Sequence, residues 1–452
     1  MKYTESLSIV DPLYELGVIK PESKDIYTEI FGGEEMFERL YERLVNSFEI
    51  NRLNFLKQAG LLYLIFPSAT HSRFAHSLGC FILGTYALEN IWVRRGKTII
   101  RLEQYLKQRK LREEFLISLL VHDIGHLPFS HYLEENEFIK EKYGNHEKIT
   151  FSFLTEDSDL YKRLFKEAQK MGSETVVQIC KEMPSIDIKQ ILNLLDEENK
   201  DPVSQLVCGY LDLDRLDHYF RDSFFMGLKL ASLNIRGFLH AIIVDVKDSP
   251  EESRFVLRSE GVPHILHLLF GKEMLWQRAI DNDVNRAYQA MCIRAVDNWL
   301  ESEKEKIEDL PFMTEDILIN YLLSYPESKK LLDRIFARKP YVLMYKGESN
   351  ITAKRLTHVF NEWVKKEADN KDDFLLFIPR NFNNPESAVS EWLLSDIPLL
   401  EGKTLFELHI DLFDYFKKQD RKRAKTIRVY AENEKLAQAK LQSFLTYLKS
   451  EE

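Results

Sequence analysis

Residues 34–230 carry helical periodicity almost without interruption, and this pattern limits the fold more than any other feature of the chain. Segments such as "EEMFERLYERLVNSF", "REEFLISLLVHD" and "DIKQILNLLDEE" repeat apolar residues at helical spacing and are separated by Gly, Pro or Asn. Patterns typical of β-strands are almost absent from this range. We therefore expect a mainly α-helical fold with its core at residues 50–230.

The pattern changes after this range. Between about 238 and 258, "FLHAIIVDV" and "SRFVLRS" flank the polar turn "KDSPEE", which predicts a small β-hairpin on the helical body. A long helix is expected from about 262 to 302. The basic run "KKQDRKRAK" at 417–425 is expected to be a solvated loop.

A smaller α+β region is expected at the end of the chain, because short apolar runs replace the helical pattern from about residue 315. The runs "YVLMY", "DFLLFIP" and "KTIRVYA" are predicted strands, "TAKRLTHVFNEWVKKEA" is a predicted helix, and an amphipathic helix ends the chain. We therefore divide the chain into a helical domain over residues 1–314 and an α+β C-terminal domain over residues 315–452.

Composition narrows the class of protein. With 452 residues, 44% of them hydrophobic, the chain can bury a large core. Its formal net charge of -10 does not indicate nucleic acid as a partner. The four cysteines lie far apart without a CxxC pair, which indicates reduced thiols. The first residues lack the pattern of a signal peptide, and no apolar run approaches the roughly 20 residues that span a bilayer, so we expect a cytoplasmic protein with no membrane partner.

Three segments carry candidate metal ligands. "ATHSRFAHSLG" contains His76 among small and apolar residues, where the simplest interpretation of a single histidine is a hydrogen-bonded core residue. "LVHDIGHLPFSH" sets His122 beside Asp123 at the end of an apolar helix. "VCGYLDLDRLDHYFRD" adds three carboxylates, Asp212, Asp214 and Asp217. Because buried carboxylates are costly unless they are paired or bind a metal, histidines and aspartates from three helices indicate iron, manganese, nickel or another mid-row divalent ion.

Taken in order, "HSRFAHSLG", "HDIGHLPFSH" and "DLDRLDHYFRD" resemble the H…HD…D signature of the HD-domain phosphohydrolases. More narrowly, they resemble the deoxynucleoside triphosphate triphosphohydrolase branch, with its dGTPase-like enzymes and its sterile-alpha-motif-HD dNTPases. The resemblance spans roughly residues 9 to 290, including, loosely, "IVDPLYELG" at 9–17. It implies a divalent metal cofactor (Mn, Fe, Ni, Co or Mg, with zinc as an alternative). The implied metal ligands are His76, His122, Asp123 and Asp214.

The same resemblance implies roles for further residues. The implied catalytic residues are His126, His146 and Glu134, where Glu134 takes the place of an aspartate that the family often has. The implied substrate-binding residues are Gln58, Arg73, His131, Arg215, Asp222 and Tyr288. Without the motif, His131 and His146 would be interpreted as helix caps or as partners of buried carbonyl groups, and Arg73 as part of a surface salt bridge.

Two segments depart from the family pattern. His218, followed by Tyr219, replaces the tyrosine that contacts the sugar in the family. In "DNDVN", Asp281 and Asp283 stand where relatives place basic residues, and by this register we expect both to face the phosphates and to repel them. Phosphate binding would then use other basic residues, for which the candidates are Arg215, Lys272, Arg278 and Arg286, or the substrate is not an ordinary dNTP.

The sequence therefore predicts a metal-dependent phosphohydrolase that cleaves a nucleoside triphosphate to nucleoside and tripolyphosphate. One alternative is an HD-type phosphodiesterase or phosphomonoesterase acting on nucleotides or oligonucleotides. Another is a non-catalytic sensor of nucleotides or nucleic acid. The family resemblance and the apolar segment "LHLLFGKEMLW" also predict a homo-oligomer, either a dimer or a tetramer.

Overall fold

The computed structural model describes residues 34–209, 212–228, 234–249, 252–380, 382–385, 398–399, 404 and 410–451. The segment at 9–17 and two residues of the predicted turn, 250–251, lie outside the described residues.

The described part of the chain is mainly helical, which confirms the expected fold class. The helices of the first 225 residues are α1 (Glu34–Val45), α2 (Phe48–Arg52), α3 (Arg73–Asn90), α4 (Leu102–Arg109), α5 (Arg112–Val121), α6 (Glu137–Tyr143), α7 (His146–Leu154), α8 (Asp159–Lys170), α9 (Val176–Lys181), α10 (Ile188–Leu194), α11 (Ser204–Cys208) and α12 (Leu213–Phe225). The later helices are α13 (Ile235–Ala241), α14 (Val262–Leu275), α15 (Asp283–Ser302), α16 (Glu315–Leu323), α17 (Pro326–Phe336), α18 (Ala353–Glu367), α19 (Ile410–Lys425) and α20 (Glu434–Glu451).

Side-chain caps fix the starts of three helices that carry candidate site residues. Ser72, Asn145 and Asp212 each accept a hydrogen bond from the backbone N–H three residues later, at the starts of α3, α7 and α12. The first turns of α7 and α12, which contain His146 and Asp214, are therefore fixed locally. Helix α3 packs against both α5 and α12 in the interior.

Two small sheets accompany the helices. The first has the strand order β2 (Thr98–Arg101), β1 (Trp92–Arg95), β3 (Ile242–Val246) and β4 (Arg254–Leu257), with a parallel pairing only between β1 and β3. The second is antiparallel, with the order β5 (Val342–Glu348), β7 (Thr426–Ala431) and β6 (Phe374–Phe377). The predicted hairpin at 238–258 and the three predicted C-terminal strands are thus confirmed.

Three expectations about local structure were wrong. Residues 92–101 form a hairpin inside the range that was expected to lack strands, and β1 is completed by β3 from far along the chain. The long helix at 262–302 is interrupted, because a π-helical turn at Trp276–Ile280 ends α14 before α15 begins. The basic run at 417–425 belongs to helix α19, which buries one face against the protein.

The C-terminal sheet has its own apolar cluster between β5–β7 and the helices α18 and α20, with Trp363, Phe374 and Phe444 at its centre. Helices α16 and α17 instead contribute to the large cluster of the helical body. The proposed boundary at residue 315 stays a prediction. Among the described residues, no helix combines the length and the apolar character that crossing a membrane requires.

Candidate active site

Four side chains from three helices converge on one point. The Nε2 atom of His76 lies 2.9 Å from Oδ1 of Asp214 and 3.3 Å from Nε2 of His122. His122 Nε2 lies 3.4 Å from Oδ1 of Asp123 and 3.6 Å from Oδ1 of Asp214. These residues come from the interior of α3, the C-terminal end of α5 and the first turn of α12. We call this group the tetrad.

Neighbouring groups orient both imidazoles of the tetrad. Asp217 Oδ2 lies 2.7 Å from Nδ1 of His76, and Arg221 binds the same carboxylate through two nitrogens. The carbonyl oxygen of Leu119 lies 2.9 Å from Nδ1 of His122. Because these acceptors favour a proton on each Nδ1, each Nε2 keeps its lone pair directed at the tetrad, as in histidines that bind metals.

The donor set fits a divalent cation. Burial by itself would raise the pKa of Asp123, but His122, in its protonated metal-free form, and Arg73 hold it well below its usual range. His122 and His76 lower the pKa of Asp214 in the same way against the effect of burial. Two imidazole nitrogens and two carboxylate oxygens suit mid-row divalent metals better than structural zinc. The structure thus brings together the four residues that the resemblance implies as metal ligands, and their binding of a metal stays a prediction; Cys80 also lies next to His76.

A second group lies beside the tetrad and consists of His126, His131, Glu134 and His146, which we call the histidine cluster. The rings of His126 and His146 stack with their centroids 3.7 Å apart. Glu134 Oε1 lies 2.6 Å from Nδ1 of His146, and its Oε2 lies 3.3 Å from Nδ1 of His131. Burial lowers the pKa of His126 well below its usual value. The pKa of His146 is raised, since Glu134 outweighs the effect of burial.

The histidine cluster fits proton transfer better than cation binding. Nη1 of Arg380 lies 2.9 Å from Oε2 of Glu134, and Nδ1 of His146 lies 2.6 Å from Oε1. Both oxygens of the only carboxylate in the cluster are therefore engaged, and a cationic group already lies beside it. The charged His146–Glu134 pair next to a neutral His126 provides one proton carrier and one proton acceptor.

Arg73 lies between the two groups. Its Nη1 lies 2.5 Å from Asp123 Oδ2, and its Nε donates to Oγ of Ser130 at 2.8 Å. The third nitrogen, Nη2, is buried and has no hydrogen-bond partner among the described residues, and the same is true of Oε1 of Gln58. A buried donor without a partner costs free energy, so Nη2 is a natural site for an anionic oxygen of a ligand.

Both groups face a cavity of about 440 Å³. The residues that line it and were expected at the site are Gln58, Arg73, His76, His122, Asp123, His126, His131, His146, Asp214, Arg215 and Asp222. Glu134 lies behind His131 and His146, outside the lining. Asp222 is held by His71 at 2.7 Å and by His218 at 3.2 Å. Tyr288 was expected to contact the substrate, but it does not line the cavity. It is only 2% exposed and lies in the hydrophobic core.

Residues 73–217 match the family model of the HD domain, and this range begins and ends within the motifs that build the tetrad. These residues form an HD domain. The chain is 25% identical over 316 residues to an uncharacterized protein of Methanocaldococcus jannaschii, covering 70% of this chain and 57% of that protein. It is 22% identical over 399 residues to the deoxynucleoside triphosphate triphosphohydrolase SAMHD1 of Danio rerio, covering 81% of this chain and 62% of that protein.

The fold of most of the chain also has a solved counterpart. A hypothetical protein from Aquifex aeolicus is similar in structure, with a TM-score of 0.61 and 22% sequence identity, covering 90% of this chain and 95% of that protein. The chain thus spans little more than half the length of the M. jannaschii protein and nearly all of the A. aeolicus protein.

The cavity of the HD domain is also lined by residues that the motifs do not contain. Of the basic candidates named from the sequence, Arg215, Lys272 and Arg286 line it, whereas Arg278 does not. The C-terminal region adds further lining residues that were missed: Phe377, Pro379, Arg380, Asp420, Arg423 and Ala424. One signal for α19 was present in the sequence, because Phe413, Phe416, Asp420 and Ala424 repeat at helical spacing and are all buried.

The expectation that Asp281 and Asp283 both face the substrate holds for Asp281 and is wrong for Asp283, which does not line the cavity. Asp281 lines the cavity, but its Oδ2 lies 2.9 Å from Nη2 of Arg428, a fully buried residue of β7. Asp283 Oδ1 lies 2.8 Å from Nε of Arg428 and 2.8 Å from Nζ of Lys346. The two carboxylates therefore attach the C-terminal sheet to the helical body at the start of α15, and their charge is compensated by cations of that sheet.

Proposed function

We propose that the chain is a metal-dependent phosphohydrolase that acts on deoxynucleoside triphosphates and releases nucleoside and tripolyphosphate. The proposal rests on one observation above all, which is that the tetrad and the histidine cluster face the same cavity with an unpartnered nitrogen of Arg73 between them. The relatives named as deoxynucleoside triphosphate triphosphohydrolases support the substrate class.

Different groups of the site have different roles in phosphoester hydrolysis. The tetrad would hold a divalent ion, which supplies charge neutralisation at the phosphoryl oxygens and lowers the pKa of water. Arg73 donates from Nη2 to a phosphoryl oxygen next to the tetrad. His146, charged and held by Glu134, supplies a proton to the leaving oxygen, and neutral His126 lies stacked beside it.

The remainder of the cavity suits a nucleoside. Its volume falls within the range that is usual for small-ligand sites. Aromatic side chains contribute several walls: Tyr132, Tyr219, Trp276 and Phe377. These rings offer surfaces on which a base or a sugar can pack. The buried Oε1 atom of Gln58, which has no hydrogen-bond partner among the described residues, accepts a hydrogen bond from the ligand.

One observation favours a second candidate, a phosphodiesterase or phosphomonoesterase. The basic residues that line the cavity away from Arg73 are each paired with a carboxylate, and they include Arg215, Lys272, Arg286, Arg380 and Arg423. A triphosphate carries about four negative charges and has to displace some of these carboxylates or bring further cations, whereas a single phosphate needs only Arg73 and the tetrad.

The experiment is a screen of the eight common NTPs and dNTPs with Mn, Mg, Fe, Co and Ni, followed by product analysis. Tripolyphosphate supports the proposal, whereas inorganic phosphate or a nucleoside monophosphate supports the second candidate. Asp123→Ala should lose both bound metal and hydrolysis and keep its helical circular dichroism. The matched control is Asp159→Ala at the exposed start of α8, which should match the parent. The absence of turnover with every metal would refute the proposal.

A further inference from the structure

We propose that Arg380, which the C-terminal α+β region contributes, is a positioning residue that holds Glu134 in the orientation in which it binds His146. This inference rests on the proposed function. It means that the C-terminal region completes the catalytic site of the HD domain rather than standing beside it as an independent unit.

The first step of the argument is the attachment of the C-terminal sheet. Arg428 of β7 is fully buried, and it binds the carboxylates of Asp281 and Asp283 just before and at the start of α15. Tyr430, on the same strand, donates from its hydroxyl to the carbonyl oxygen of Asp283 at 2.9 Å. Because a buried arginine is costly without its carboxylates, β7 has one preferred position on the HD domain.

The second step leads from β7 to the cavity. Strand β6 pairs with β7 so that Phe377 lies opposite Arg428. Phe377 is buried, and the guanidinium group of Arg286 lies 4.8 Å from the centroid of its ring. The chain therefore leaves β6 at a fixed point on the cavity wall, and Arg380 follows only three residues later.

The third step concerns the partners of Glu134. Arg380 Nη1 lies 2.9 Å from Oε2, whereas His131 Nδ1 lies 3.3 Å from the same oxygen. The side chains of His131 and Arg380 are both partly exposed, at 54% and 42%, so the shorter distance is what favours Arg380 as the restraint on Oε2. Without Arg380, Oε2 of the buried carboxylate would keep only the longer contact with His131 while Oε1 keeps His146, so Glu134 could rotate more freely about its side-chain torsions. A carboxylate held on both oxygens orients the imidazole that it binds.

Three variants test this role once a substrate has been found: Arg380→Met, Arg380→Lys and the control Lys371→Met. Lys371 lies on the exposed surface of the same region and pairs with Glu301. General acid–base catalysis contributes roughly 10²- to 10⁴-fold, so Arg380→Met should lower kcat by about 10-fold or more and change KM by less than about 3-fold. Arg380→Lys should restore part of kcat, and Lys371→Met should match the parent.

A different division between kcat and KM would overturn the proposal. A raised KM with unchanged kcat would mean that Arg380 binds the substrate directly, and no change in either would mean that the contact with Glu134 is not used. If the parent hydrolyses no substrate, the proposed function fails and a second measurement tests Arg380 alone. In ¹⁵N-histidine NMR spectra, assigned with His146→Gln, Arg380→Met should shift or broaden the Nδ1–H signal of His146 while Arg380→Lys retains it. An unchanged signal in Arg380→Met would refute the positioning role.

Discussion

Gly79 lies at the point where α3 touches the residues that orient the tetrad. A Cβ atom at this position would stand 2.0 Å from Oδ1 of Asp217 and 2.2 Å from Nη2 of Arg221. Both of these groups are buried, and they form the ion pair that binds Nδ1 of His76. We therefore expect Gly79→Ala to separate His76 from Asp217, although the substitution lies on the far side of the imidazole from the metal ligands.

The sign of the change in the free energy of unfolding distinguishes a disturbed ion pair from the ordinary effect of replacing a helical glycine by alanine. In the middle of a helix, replacing glycine by alanine normally stabilises a protein by up to about 1 kcal/mol. Disturbing a buried ion pair costs about 3–5 kcal/mol. The net expectation for Gly79→Ala is a loss of about 2–4 kcal/mol in the free energy of unfolding. Loss of the partner that orients a metal-binding histidine should in addition weaken divalent-metal affinity by about 10- to 100-fold.

The assays are denaturant unfolding of the metal-free protein and calorimetric titration with Mn²⁺. Gly84→Ala is the matched control on the same helix, because its Cβ would meet the side chains of Leu119 and Leu116 and not the ion pair. It should change stability and leave metal affinity unaltered. If Gly79→Ala is as stable as the parent and binds Mn²⁺ equally well, the assignment of Asp217 as the partner of His76 is refuted.

The double substitution of Asp281 and Asp283 by Asn should destabilise the protein by about 2–4 kcal/mol and leave KM unchanged, because Arg428 stays buried without its carboxylates. The loss is not larger because Asp283 is partly exposed to water. Thermal unfolding checks this, and an unaltered midpoint together with a lowered KM would restore the repulsion hypothesis. Burial raises the pKa of Glu49 in the native state from 4.5 to about 7. Between these two pH values the folded protein holds the Glu49 proton more tightly than the unfolded chain does, so the free energy of unfolding should fall as pH rises from about 4.5 to about 7. Glu49→Gln should remove that decline and gain up to about 3 kcal/mol at pH 8, measured as unfolding midpoints at pH 5 and pH 8. Light scattering at tens of micromolar should give a dimer or tetramer, and a monomer would contradict this expectation.

The amino-acid sequence by itself determined the helical class and the identity of the residues in the tetrad. His76, His122, Asp123 and Asp214 lie within short motifs on helical segments, and the spacing within such motifs is local information. Asp212 was interpreted from the sequence only as a candidate metal-binding carboxylate, whereas the structure uses it to cap α12, a role that depends on the next three residues alone. The roles of the tetrad residues in binding a metal stay a proposal, and their meeting point depends on the packing of α3 against α5 and α12.

Only the tertiary structure decided what surrounds these motifs. The hairpin at 92–101 was missed although its pairing is local, with the short turn at Gly96 and Lys97 between β1 and β2. The pairing of β1 with β3, in contrast, needed the tertiary structure, because that partner is far away in the sequence. Asp281 and Asp283 were misread for the same reason, since the cation that compensates them is Arg428, 145 residues beyond Asp283. Arg380 belongs to no motif, and it reaches Glu134 only because strand pairing and a buried ion pair fix β6 against the HD domain. The sequence states which groups the chain carries, whereas long-range packing decides which of them share a low-dielectric site, and there a change of a few ångströms decides which charges are paired.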